Sequence, residues 1–199
     1  KLALDSIGFE SKRGVMIAVL GKNGAGKSTL VKIIGGGERP THGLVIRGMS
    51  LSWPLTLGAG GFEQRMSGLD NIRFIARIYD RPIAETIATV DDFAELGRYL
   101  REPVVTYSSG MQMRLAFALT LAVEFECYLI DEVISVGDQR FAKKCHEELF
   151  VRRGHCSMIL VSHAADIIRS YCNKALVMKN GRGRVFDDVE RALAIYATL

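Results

Sequence analysis

Two kinds of hydrophobic pattern alternate along the chain. Short runs that are apolar at every position, Val15–Leu20, Cys127–Ile130 and Met158–Val161, predict parallel strands buried on both faces. Between them lie segments in which apolar residues recur at helical spacing. Leu30–Ile34 leads out of a glycine-rich turn and ends at Gly35-Gly36-Gly37. Ser67-x-x-Asp70 resembles a capping box, and Ile72, Ile75, Ala76 and Tyr79 after it share one face. Pro82 opens a helix with Ile83, Ile87 and Val90 aligned. Phe141, Cys145 and Leu149 form the apolar face of a further helix. Weaker alternation predicts strands over Leu2–Glu10 and Leu44–Arg47. Lys179-Asn180-Gly181 between Ala175–Met178 and Val185-Phe186 predicts a hairpin, and Val189–Tyr196 a closing helix. The pattern predicts an α/β fold with a mainly parallel core sheet. It makes one domain over 1–199, with a core of about 1–66 and 104–199 and an inserted helical subdomain of about 67–103.

Composition changes this picture little. The net charge of +4 is mild, and no basic run is long enough to argue for nucleic acid. Cys127, Cys145, Cys156 and Cys172 show no C-x-x-C spacing, so reduced thiols are expected. The longest apolar stretch, Leu115–Val123, is too short to span a bilayer, and no signal peptide is visible. The chain opens on Lys1, with a short segment before the first core strand, and native residues are expected to precede it.

The chemistry starts at Gly21-Lys22-Asn23-Gly24-Ala25-Gly26-Lys27-Ser28-Thr29, which follows the Val15–Leu20 strand and opens a helix. It matches G-x-x-x-x-G-K-[ST] at every position. A chance match in a chain of this length is on the order of one per cent, and the strand-before, helix-after context lowers that further. Glycines let successive N–H groups turn inward as an anion nest, and the helix start adds its unsatisfied N–H groups. Lys27 supplies a point charge for the outer phosphates and Ser28 a hydroxyl for Mg²⁺. The loop reads as a nucleoside-triphosphate site.

Polar residues follow the other core strands, where ligands gather on an open parallel sheet. Asp131 suits the holding of Mg²⁺ through water, and Glu132 the polarising of a water for attack on the γ-phosphate. Alone, adjacent acids after a strand are common loop chemistry; the phosphate loop upstream gives them their meaning. Ser162-His163 places a histidine as a γ-phosphate contact. Tyr107-Ser108-Ser109-Gly110-Met111-Gln112-Met113-Arg114 precedes a helix with Met111, Leu115, Ala118 and Ala122 on one face, a second N-terminus able to receive an anion.

In this order, Gly21–Thr29, Tyr107–Met111, Leu129–Glu132 and Val161–His163 resemble an ABC-type ATPase domain, a P-loop NTPase. The Y-S-S-G-M string departs from the commonest L-S-G-G-Q form. With Asp131–Asp138, Ser52-Trp53-Pro54, Gly60-Gly61-Phe62, Arg140-Phe141 and Tyr171-Cys172, it is similar to the ATP-binding subunit of bacterial capsular polysaccharide exporters over essentially the whole chain. The resemblance implies ATP and Mg²⁺ as cofactors and a homodimer paired head to tail. ATP on Lys27 and Ser28 of one copy would be covered by Ser108, Ser109 and Gly110 of the other, with Asp138 among the nucleotide contacts. It implies catalytic roles for Glu132 and His163, and a glutamine that reaches Mg²⁺ and the membrane partner. Phe62-Glu63-Gln64 leaves two candidates: Glu63 at the usual position, and Gln64, favoured because a carboxamide both donates and accepts. The resemblance also implies an integral membrane permease as partner, a polysaccharide as indirect substrate, no nucleic acid, and a peripheral place on the cytoplasmic face of the inner membrane. Members of this family begin earlier, with an aromatic residue that stacks on adenine and is absent here.

Rival readings fit less of the chain. A small GTPase needs N-K-x-D, and Asn173-Lys174-Ala175-Leu176 lacks the acid. A nucleotide kinase has no use for the Tyr107–Arg114 string. A nucleic-acid-associated ABC ATPase would carry two cassettes or a coiled-coil insertion. The nearest runner-up is the ATPase of an O-antigen or teichoic-acid exporter.

Overall fold

A computed structural model describes residues 2–55, 62–131 and 138–199. They fall into two compact units, the first within 1–54, 125–132 and 149–199, the second within 55–124 and 133–148.

The first unit holds a five-stranded sheet in the order β2-β3-β1-β4-β5, where β1 is Met16–Gly21, β2 Cys127–Asp131, β3 Ser157–Val161, β4 Lys174–Lys179 and β5 Arg182–Phe186. All neighbours run parallel except β4 and β5. β1 is buried at every position, as the unbroken apolar run requires of a central strand. Ile17, Val19, Leu129, Ile159, Val161 and Leu176 project from the sheet onto Leu30 and Val31 of helix α1 (Lys27–Ile34). Helices α6 (Ala165–Tyr171) and α7 (Val189–Ala197) complete the unit. The hairpin forms as the sequence predicts: Asn180 and Gly181 both take positive φ, 50° and 80°, the requirement of a tight type I′ turn.

Two expected strands are not there. Over 2–10, Ser6 at φ 57° interrupts the extended run; Asp5 N–H bonds Gly181 O at 2.7 Å, and Leu4, Ile7 and Phe9 pack on the core without a ladder. Over 44–47, Leu44 and Ile46 are 81% and 84% exposed. Arg47 instead turns its guanidinium onto the last carbonyls of α1, donating to Ile33 O at 2.6 Å and Ile34 O at 2.7 Å. Those carbonyls have no partner inside the helix, so a cation there both bonds them and offsets the dipole. The chain meets the sheet a few residues later, where Leu51 bridges Cys127.

The second unit is helical: α2 (Gly68–Ile78), α3 (Ile83–Ala94), α4 (Ser109–Ala122) and α5 (Gln139–His146). It extends on both sides of the expected 67–103 insertion. The N-cap half of the box forms, with Ser67 Oγ accepting from Asp70 N at 3.1 Å, while the Asp70 carboxylate accepts from the Ser67 hydroxyl at 2.6 Å. Phe93, Phe117 and Phe141 form its aromatic centre, with ring centroids 5.5–6.3 Å apart. α3 ends on Glu95 at φ 54°, a left-handed conformation that disfavours glutamate. Its carboxylate is held there by Lys144 at 3.1 Å and Arg140 at 3.3 Å, and the Lys144 hydrogen bond, first, keeps its carboxyl below the usual range.

Candidate nucleotide-binding site

β1 delivers the chain to the sheet's C-terminal edge, where Gly21–Thr29 wraps the start of α1. Gly24 and Gly26 take φ 80° and 102°, the conformation a nest of inward N–H groups needs. A Cβ on Gly26 would lie 2.7 Å from Ala3 O, and one on Gly21 2.6 Å from Met178 O. The hairpin turn braces the loop from one side, Gly181 N–H donating to Ala25 O at 3.2 Å. Gly26 is the N-cap of α1 and offers it no side-chain hydrogen bond. The buried ammonium of Lys27 donates to Gly21 O at 2.6 Å and Lys22 O at 3.3 Å, across the turn. Lys22, Asn23, Gly24 and Ser28 are exposed, and Thr29 is half-buried behind them. The result brings a lysine ammonium next to a helix start with no side-chain cap, a combination suited to a chain of phosphates.

The neighbouring strands set the rest of this edge. Asp131 pairs with Val161, and Val161 with Val19, so Asp131 and the Ser162-His163 turn end at the level of the loop. His163 Nδ1 lies 2.5 Å from the hydroxyl of Tyr196 on α7. Glu132 lies outside the described residues, as do the Gly60-Gly61 turn and residues 133–137. Among the described residues no cluster of three His, Cys, Asp or Glu could hold a metal. A divalent cation here would take the Ser28 hydroxyl, the Asp131 carboxylate and the phosphates themselves, the donor set Mg²⁺ uses at nucleotides.

The remaining candidates belong to the second unit. Ser108 is the N-cap of α4, its Oγ accepting from Met111 N at 3.2 Å; Ser108 and Ser109 are exposed and Gly110 half-buried. Asp138 is the N-cap of α5, with Oδ1 accepting from Phe141 N at 2.9 Å and Oδ2 from Arg114 at 2.6 Å. The Phe141 N–H, with Arg114 beside it, holds the Asp138 carboxyl below its usual range. Gln64 is exposed, and its carbonyl accepts from Val105 N at 2.8 Å. Glu63 turns its carboxylate back onto Arg65 N at 3.2 Å, while Asn71 clamps its backbone, accepting from Glu63 N at 2.7 Å. Sequence reasoning did not find Tyr196, which stands 33 positions from its partner, nor the use of Arg114 as the counterion of Asp138. No local signal marks either pairing.

Among the described residues, no helix is long and apolar enough to cross a membrane. Residues 4–135 match the ABC transporter family. The chain is 51% identical over 199 residues to the capsule polysaccharide export ATP-binding protein CtrD of Neisseria meningitidis serogroup B, covering all of this chain and 92% of that one. It is 52% identical over 196 residues to the ATP-binding protein BexA of Haemophilus influenzae, covering 98% and 90%. The ATP-binding subunit of an ABC transporter, 23% identical, superposes with a TM-score of 0.77 over 98% of this chain and 88% of its own, which establishes the fold. The loop, the sheet that presents it and these relatives agree: the chain belongs to the ABC transporter family and carries its ATPase domain.

Proposed function

We propose that this protein is the ATP-hydrolysing subunit of an exporter that moves capsular polysaccharide across the bacterial inner membrane, working as a homodimer beneath an integral membrane permease, on the cytoplasmic face. The observation that carries the substrate class is the near-full-length identity to two proteins, one of them named for capsule polysaccharide export.

The loop fits a triphosphate: its glycines leave no room for a Cβ at Gly21 or Gly26, and the first turn of α1 is uncapped by any side chain. Backbone donors of Gly21–Thr29 bind the phosphates and Lys27 neutralises their charge. Ser28, Asp131 and Gln64 would hold Mg²⁺, and the ion would supply positive charge to the phosphates. Glu132 orients a water in line with the γ-phosphorus and accepts its proton. The new P–O bond forms as the bond to the β–γ bridging oxygen breaks, releasing ADP and phosphate. His163 contacts the γ-phosphate. Ser108, Ser109, Gly110 and Asp138 of a second copy close the site, so loss of the γ-phosphate releases the dimer. The helical insertion then carries that opening to the permease.

Glu132→Gln tests the reading. The variant is expected to bind ATP and elute as a stable dimer in its presence with hydrolysis abolished. Turnover at the unmodified rate removes Glu132 as the base. A monomer at saturating ATP removes the shared site.

A further inference from the structure

We propose that Tyr196 is a positioning residue for His163: its hydroxyl, delivered by the last helix, fixes the tautomer and ring plane of the imidazole at the phosphate end of the sheet. The proposal rests on the reading of His163 as a γ-phosphate contact.

His163 stands two residues beyond β3. β3 pairs with β1 as far as Val161 beside Val19, so His163 leaves the sheet at the end where β1 runs on to Gly21, the first residue of the phosphate loop. It is exposed and follows a turn in which Ala164 N–H bonds Ser162 Oγ at 3.1 Å. Tyr196 bears on the ring directly. Its hydroxyl is 2.5 Å from Nδ1, and the two rings are inclined by 30° with centroids 6.0 Å apart.

The anchor is itself well held. Asp188 caps α7 by accepting from Arg191 N at 3.0 Å, and Glu190 pairs with Arg169 of α6 at 2.8 Å. Ala192 and Leu193 are buried, and Tyr196 follows them at helical spacings of four and three, on the face that seats the helix. A neutral imidazole has one donor and one acceptor nitrogen, so a bond to one fixes the role of the other. A hydroxyl that donates to Nδ1 places the ring proton on Nε2. That is the form that can donate to an anionic phosphate oxygen, and on this proposal the tyrosine is the donor in the bond to Nδ1.

Tyr196→Phe keeps the ring and removes only the hydroxyl. One neutral hydrogen bond sets the scale, so kcat for ATP is expected to fall about three- to tenfold. KM for ATP and Tm should stay unchanged. Imidazole nitrogen NMR on the nucleotide-free protein should show the His163 tautomer balance shifting away from Nε2–H. Unchanged His163 resonances, or a shift with full kcat retained, overturns the proposal. His163→Ala separates the two layers of the argument. If that variant hydrolyses ATP at the unmodified rate, the reading of His163 fails and Tyr196 loses its purpose with it. If it is inactive while Tyr196→Phe is unaffected, the role of Tyr196 alone fails.

Discussion

The helices α1 and α4 both begin where the proposed reading wants an anion, and they begin differently. α1 starts on Gly26, at φ 102°, with no side chain to bond its first N–H groups. α4 starts on Ser108, whose hydroxyl accepts from Met111 N at 3.2 Å. A serine cap satisfies an orphan donor and stabilises a helix by about 1 kcal/mol. At α1 that stabilisation is forgone, and the uncapped first turn starts at Lys27 itself. At α4 it is present, through a hydroxyl that can exchange its partner. On the proposed reading the first helix start is dedicated to a ligand, and the second is a self-sufficient cap that a ligand can borrow. α5 supplies the third case, a cap fully engaged, with Asp138 bonded to both Phe141 N and Arg114.

Removing the dedicated charge gives the largest effect. Lys27→Ala truncates a buried ammonium that makes two hydrogen bonds to the loop's own carbonyls. ATP affinity is expected to fall on the order of a hundredfold or more, the scale of losing one partner of a buried charged contact. Equilibrium binding of a fluorescent ATP analogue reads it directly; unaltered affinity would dissolve the contrast between the two helix starts.

Next comes the backbone that forgoes the cap. Gly26→Ala forces a side chain into a left-handed conformation with Ala3 O at 2.7 Å, whereas Gly24→Ala, at φ 80°, meets no atom within 4 Å. Conformational strain of this kind costs about 1–3 kcal/mol, with Gly26→Ala at the upper end and Gly24→Ala at the lower. Urea denaturation should rank them in that order. Equal effects would mean that the close approach to the 2–10 segment does not shape the loop.

Asp138→Ala removes the engaged cap and leaves Arg114 without its carboxylate. A fall in Tm of about 3–6 °C is expected for a domain of this size. Because the folded-state carboxyl titrates below its ordinary value, its contribution is present at neutral pH and lost as pH falls through the usual carboxylate range and below it. The difference in Tm between the two proteins should therefore shrink on acidification. Asp138→Asn separates cap from contact: retained stability with lost turnover would assign the carboxylate to nucleotide across a dimer.

How legible each of these starts is depends on how local its physics is. The phosphate loop is written in consecutive residues, because a glycine nest needs its glycines at fixed places. Parallel strands buried on both faces announce themselves as unbroken apolar runs, and β1, β2 and β3 lie where those runs are. Alternation in short segments says less. Leu44-Val45-Ile46-Arg47 alternates like a strand, yet the decisive contact is Arg47 on the α1 carbonyls, a choice between partners that no periodicity encodes. Helix α6, seven residues long, has too few turns to show a face. The resemblance singles out Asp138 as a nucleotide contact, while its bond to Arg114 joins positions 24 apart and appears only in three dimensions. Tyr196 and His163 repeat that lesson at the site itself.

The smallest effect on stability, and the sharpest on the comparison, comes from Ser108. Ser108→Ala is expected to lower stability by about 1 kcal/mol, and Ser108→Gly by only a few tenths, because glycine leaves the first turn open to water. A hydroxyl that serves α4 alone would leave the Gly variant close to unmodified in every assay. A hydroxyl that also bonds a phosphate held by a second copy is missed equally in both variants. On the proposed reading, ATP-dependent dimerisation of a Glu132→Gln background therefore falls to the same extent with Ala and with Gly, although their unfolding midpoints differ. If dimerisation follows the stability ranking instead, Ser108 is a cap and nothing more, and α4 ceases to be the counterpart of α1.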